Sequence, residues 1–176
     1  MSTPARRLHR RRAIATPRSS ARVPPGLRVE LRQRVRGWSP PRRELARWAS
    51  AALGSRAAGR ELGVCVVAAA ESARLNARYR GRDRPTNVLS FAPPALPRRP
   101  DRGVPPLGEL VICPHILREE ARAQDKPLRA HWAHLVVHGA LHLAGYDHRR
   151  AVDARRMERR EIAVLRRLGF ANPYRS

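Results

Sequence analysis

Three histidines stand at offsets 0, 4 and 10 in the segment His138-Gly139-Ala140-Leu141-His142-Leu143-Ala144-Gly145-Tyr146-Asp147-His148, with a glycine at offset 7. On a helix, His138 and His142 project from one face, one turn apart. Gly145 adopts positive φ at no steric cost, so the chain can turn there and bring His148 back toward the other two. Three imidazoles around one point leave a fourth tetrahedral position for water, the layout of a catalytic zinc site. A metal held in this way lowers the pKa of its bound water to about 7 and generates hydroxide at neutral pH. A lone His on an apolar face is usually a satisfied core residue, but three at these offsets around a glycine point to a metal.

The spacing equals that of the zinc-peptidase signature H-E-x-x-H-x-x-G-x-x-H. The glutamate that serves those enzymes as general base is replaced by Gly139. Without it, water attack on an amide lacks its proton acceptor. A phosphodiester has a different need, stabilisation of a negatively charged phosphorane by metal and arginine. His134 lies one turn before His138 and reads as a packing and hydrogen-bonding residue, with a place behind the ligands or in the cleft as the alternative. Trp132 reads as core or cleft wall. Asp147 either orients a ligand imidazole or caps the helix turn.

The charge balance favours an anionic substrate. Lys+Arg is 37 and Asp+Glu 14, a formal net charge of +23, and Lys126 is the sole lysine. Such a surface attracts phosphate backbones, and arginine forks onto phosphate as lysine cannot. Part of the arginine excess reads as genome composition, since alanine is abundant too. Met1 to about Pro25 carries seven arginines and no acid. It is expected to be a disordered basic tail, since it has too little apolar content to offset its ordering entropy. An organellar transit peptide, a start codon set too far upstream and an RNA-touching arm all fit it. Cys65 and Cys113 sit in apolar, strand-like runs outside any CxxC pair, so they read as buried thiols in a reducing compartment. No run approaches the roughly 18–20 apolar residues of a membrane span.

The 176 residues are enough for one domain with its own core, expected over residues 26–176. Leu27–Val35 alternates as a half-buried strand. Ser39-Pro40-Pro41 signals a helix start, with Ser39 a possible N-cap, and the helix runs to about Leu53. Leu62–Ala70 reads as a central strand and Ser72–Tyr79 as a short helix. Arg80–Thr86 is a loop, Val88–Phe91 a strand, Ala92–Pro106 a proline-rich loop and Leu107–Cys113 a strand. Helices are expected from Pro114 to about Gln124, over Leu128–Ala144, and over Ala151–Leu168 with Gly169 as C-cap. The order fits an α+β domain, a small mixed sheet of about four strands packed with about five helices.

At this point the chain resembles a known family. His138–His148 is similar to the signature of the bacterial YbeY family of single-strand-specific endoribonucleases and rRNA maturation factors. Three further blocks agree, in the family's order: Leu75-Asn76-Ala77-Arg78-Tyr79-Arg80 through Phe91, Gly108-Glu109-Leu110-Val111-Ile112-Cys113, and His131-Trp132-Ala133-His134. The resemblance covers about residues 60–175. It implies one Zn2+ held by His138, His142 and His148. It also implies a functional cleft arginine at Arg80, whose role would be to hold or neutralise the scissile phosphate. It implies single-stranded RNA as substrate, a role in 16S rRNA 3′-end processing and ribosome quality control, the ribosome or its small subunit as partner, no membrane, and a cytoplasmic location. Two alternatives stand beside it: a ribosome-binding assembly factor whose metal is mainly structural, and a metallopeptidase, which the glycine at 139 disfavours. The strong positive charge and the Ala92-Pro93 sequence after the Phe91 block depart from the family's usual pattern.

Overall fold

The computed structural model describes residues 26–93, 104–147 and 150–175. The expected tail, Met1 to Pro25, lies outside them, as does residue 148.

Four strands form one mixed sheet: β1 (Arg28–Gln33), β2 (Glu61–Val66), β3 (Val88–Phe91) and β4 (Pro106–Ile112), in the order β1-β2-β4-β3. The first three in that order are parallel, and β3 closes the edge antiparallel to β4. Parallel neighbours need crossover connections, and helices supply them: α1 (Arg42–Leu53) joins β1 to β2, and α2 (Ala69–Arg80) leads from β2 toward β3. α3 (Pro114–Ala123), α4 (Leu128–Leu143) and α5 (Ala151–Arg167) follow β4. This is the expected α+β architecture, with four strands and five α-helices.

Side chains alternate across the sheet. Leu62, Val64 and Val66 of β2 join Leu110 and Ile112 of β4 in the main core, with α1 and α4. Cys65, Val67, Leu89 and Val111 face the other way, against Leu75 of α2 and Phe91. Both cysteines are free and buried, as expected. Because β2 and β4 are covered on both faces, they read as continuous apolar runs.

α4 is the central helix. It packs on α1, α3, α5, β3 and β4. Trp132, Ala133, Val136, Val137, Ala140 and Leu141 are all fully buried on it. Gly139 explains how closely it approaches the sheet. A Cβ there would stand 2.7 Å from Leu110 Cδ2 and 3.0 Å from Ser90 Oγ. The backbone of α4 therefore rests almost directly on β3 and β4.

Two expectations need correction. The strand predicted over Leu62–Ala70 ends at Val66, and Ala69 and Ala70 open α2. Val67 still donates its N–H to Ile112 O, and then Ser72 N–H turns to Ala68 O. The apolar run continues through this junction because the alanines are small helix formers, so hydrophobicity alone does not mark the boundary. Ser39 does not cap α1. The helix starts at Arg42, and the Ser39 hydroxyl donates to Gln33 Oε1 at 3.1 Å, tying the loop back to β1. Among the described residues no helix is long and apolar enough to cross a membrane.

Candidate metal centre

α4 carries His131, His134, His138 and His142 along one side. The last two bring their rings together, with His138 Nε2 and His142 Nε2 3.1 Å apart and centroids 4.6 Å apart. The far nitrogen of each ring is already committed. His142 Nδ1 donates to Tyr146 O at 3.0 Å. A carbonyl only accepts, so this bond fixes the proton on Nδ1. His138 Nδ1 stands 2.7 Å from Glu161 Oε1, on α5.

The end of α4 makes the first of these bonds. Gly145 has φ +87°, as its type suggested. Its N–H bonds His142 O, and Tyr146 N–H bonds Leu141 O. This is a Schellman turn. It folds the chain back so that the Tyr146 carbonyl meets the His142 ring. His148, the third histidine of the pattern, lies outside the described residues.

Glu161 makes the second. It sits on the buried stripe of α5 with Met157, Val164 and Leu165, and its side chain is 1% exposed. Oε1 accepts from His138 Nδ1, and Oε2 accepts from His134 Nε2 at 3.0 Å and from the Tyr174 hydroxyl. Burial works to raise the Glu161 pKa, but hydrogen bonds from His134, His138 and Tyr174 overcome it and hold the carboxyl at about 2. The Tyr174 hydroxyl is pushed upward, by burial first and then by donating to Glu161. Tyr174 reaches this point because α5 also ends in a Schellman turn. Gly169, at φ +85°, bonds Arg166 O, and Phe170 N–H bonds Leu165 O.

The consequence is chemical. With Nδ1 donating, a neutral ring at either position has its lone pair on Nε2, and the two Nε2 atoms stand 3.1 Å apart. Such lone pairs repel unless a cation or proton lies between them. Carboxylate and carbonyl acceptors behind the rings are the usual supports of metal-binding imidazoles. The donor set therefore fits a borderline metal such as zinc. Among the described residues no group of three or more His, Cys, Asp or Glu side chains is arranged to hold an ion. What they contain is this pair and its supports.

Arg80, the last residue of α2, lines the same cleft as both histidines, with Asn87, Ser90, His134 and Tyr174. The cleft volume is about 470 Å3. The structure thus brings Arg80, His138 and His142 together. It gives His134 a hydrogen-bonding role through Glu161 and makes Trp132 core. The carboxylate behind His138 is Glu161, and His142 is backed by a carbonyl. A zinc-peptidase glutamate at position 139 would press its Cβ on Leu110 and Ser90, so one of them would have to shift. Sequence reasoning missed Glu161 and Tyr174. The one available signal was an acid on the apolar stripe of α5.

The family model described as Endoribonuclease YbeY matches residues 39–169. Endoribonuclease YbeY of Alkalilimnicola ehrlichii (strain ATCC BAA-1101 / DSM 17681 / MLHE-1) is 52% identical over 159 residues, covering 86% of this chain and 93% of that protein. A protein of Thermotoga maritima solved in solution aligns over 84% of this chain and 100% of its own, at 24% identity and a TM-score of 0.47. The first two matches place the chain among the RNA-cleaving hydrolases. It belongs to the endoribonuclease YbeY family.

Proposed function

We propose that this endoribonuclease is zinc-dependent, cleaves single-stranded RNA, and acts in 16S rRNA 3′-end maturation and ribosome quality control in the cytoplasm, in contact with the ribosome or its small subunit. The observation that carries the metal reading is the convergence of His138 Nε2 and His142 Nε2, each ring held from behind by an acceptor. His148 is the third ligand in this reading, and one Zn2+ the cofactor. The family supports the RNA and ribosome parts of the proposal.

Each side chain then has a task. His138 and His142 hold the metal through Nε2. Glu161 and the Tyr146 carbonyl keep the proton on Nδ1 and fix the ring planes. Arg80, in the same cleft, grips the scissile phosphate and offsets the charge that builds there. The bound ion supplies Lewis acidity and an activated water near neutral pH. Residues 26–176 form the enzyme domain, and the basic segment before them adds non-specific attraction to RNA.

The test is cleavage of end-labelled single-stranded and double-stranded RNA by wild type, chelator-treated protein and His142→Ala. Single-strand cleavage lost with both chelator and substitution is the expected result. Equal cleavage by His142→Ala would overturn the metal reading. A product with a 2′,3′-cyclic end, with DNA inert, identifies the ribose hydroxyl as nucleophile, whereas a 5′-phosphate product identifies water.

A further inference from the structure

The C-terminal end of α2 carries an aromatic side chain where burial does not explain one. Tyr79 is 56% exposed, one of four large hydrophobic side chains left open among the described residues. It is nonetheless held in place. Its ring meets Phe91 edge-to-face, with centroids 4.9 Å apart, and the Arg78 guanidinium lies over it at 5.3 Å.

The surroundings are those of a nucleic-acid track. Arg78, Arg82 and Arg84 are exposed close to it in the chain, Asp83 is the single acid from 72 to 93, and Glu71 before them is paired with Arg34 and Arg74. Position along the chain adds the connection to the reaction. Arg80 follows Tyr79 and Ser90 precedes Phe91, and both Arg80 and Ser90 line the cleft that holds His138 and His142. The aromatic pair thus adjoins these cleft residues along the chain, with Phe91 on the other face of the edge strand β3 beside Leu89 and Val111.

We propose that Tyr79 is a stacking platform for a base of single-stranded RNA, flanking the phosphate held by Arg80. This rests on the reading that the cleft acts on single-stranded RNA. A ring already fixed by Phe91 and Arg78 loses little freedom when a base lies against it, so stacking costs little order. Base–aromatic stacking is tolerant of sequence, because every base has a π face. It is also closed to bases already stacked inside a duplex. Tyr79 would thus supply strand selectivity that a field of arginines cannot, since phosphates are common to both forms.

The experiment is binding, followed by fluorescence anisotropy with chelator present so that nothing is cut. Wild type, Tyr79→Ala and Tyr79→Phe meet three probes of equal length: single-stranded RNA, duplex RNA, and a single strand of abasic sugar-phosphate. The expected result is that Tyr79→Ala weakens single-strand binding between about fivefold and a hundredfold, the worth of one stacked base. Tyr79→Phe keeps wild-type affinity, and all three proteins bind the duplex and the abasic strand alike. Unchanged single-strand affinity in Tyr79→Ala would overturn the proposal. So would an equal loss on all three probes, which would mean a general electrostatic or folding effect. A wild type that binds duplex as well as single strand, with Tyr79→Ala weakened on the single strand alone, keeps the platform and removes the single-strand reading of the enzyme.

Discussion

Glu161 Oε1 lies 2.7 Å from His138 Nδ1 although the carboxylate comes from a different helix and is 1% exposed. A buried charge is retained only when its partners satisfy it, and here the partners are His138, His134 and Tyr174. The bond holds the His138 ring so that its other nitrogen faces His142. Replacing Glu161 by Gln removes the charge and leaves an amide that no longer fixes the tautomer. Zinc affinity, measured by competition with a chromogenic chelator, is expected to fall about 10–100-fold, the usual cost of losing such a support.

Zinc should stabilise the fold by mass action. An ion that binds the native state alone raises stability as its concentration exceeds its dissociation constant. Melting of metal-free protein with increasing zinc should therefore show a rising midpoint in wild type and none in His142→Ala. An equal rise in both proteins would place the ion elsewhere.

Gly145→Ala separates backbone strain from crowding. A Cβ at this position meets nothing within 4 Å, but φ is +87°. An L-residue there costs about 1–2 kcal/mol. The variant is expected to melt lower by that amount. It should also bind zinc more weakly, because the turn that delivers the Tyr146 carbonyl to His142 is disturbed.

Gly139→Glu restores the zinc-peptidase pattern in sequence but not in function. The new Cβ would stand 2.7 Å from Leu110 Cδ2, and Leu110 is fully buried. Overpacking and an unpaired carboxylate together should cost at least about 2 kcal/mol. Urea unfolding reads the loss. A peptidase assay should stay blank, and measurable peptide cleavage would sink this account.

One ion pair outside the cleft has a definite pH signature. Glu44 of α1 accepts from Arg129 at the start of α4 at 2.7 Å. That bond holds the Glu44 pKa below its ordinary value of 4.5, with burial opposing. A lowered folded pKa means that the stabilisation is full above about pH 4.5 and is lost as pH falls through the folded value. The advantage of wild type over Glu44→Gln in thermal melting should accordingly be present at pH 7 and vanish in acid. It should be small, as for other exposed pairs.

Much of the site was legible because it is local. His138 and His142 are one turn apart on one helix, and Gly145 lies three residues beyond, so helical geometry alone brings them together. Glu161 was hidden because it lies 23 residues from His138, and packing of α5 on α4 unites them. In the sequence it is one acid within an arginine-rich helix, and only its place in register with Met157 and Leu165 betrays burial. Tyr174 was less visible still, since it follows a helix end and reaches the cleft through the Gly169 turn. In the fold, Val88–Phe91 and α3 to α5 followed from proline and glycine breaks. The β2–α2 junction did not, because alanines carry no signal of direction.

The Tyr174 hydroxyl bonds Glu161 in the cleft from a position seven residues beyond α5. A polyhistidine purification tag fused close behind Tyr174 would therefore lie near His134 and His138, offering loose imidazoles at high local concentration. Zinc stoichiometry measured on such a preparation would count the tag as well as the centre. The tag belongs at the other end, or must be cut away before any metal is weighed.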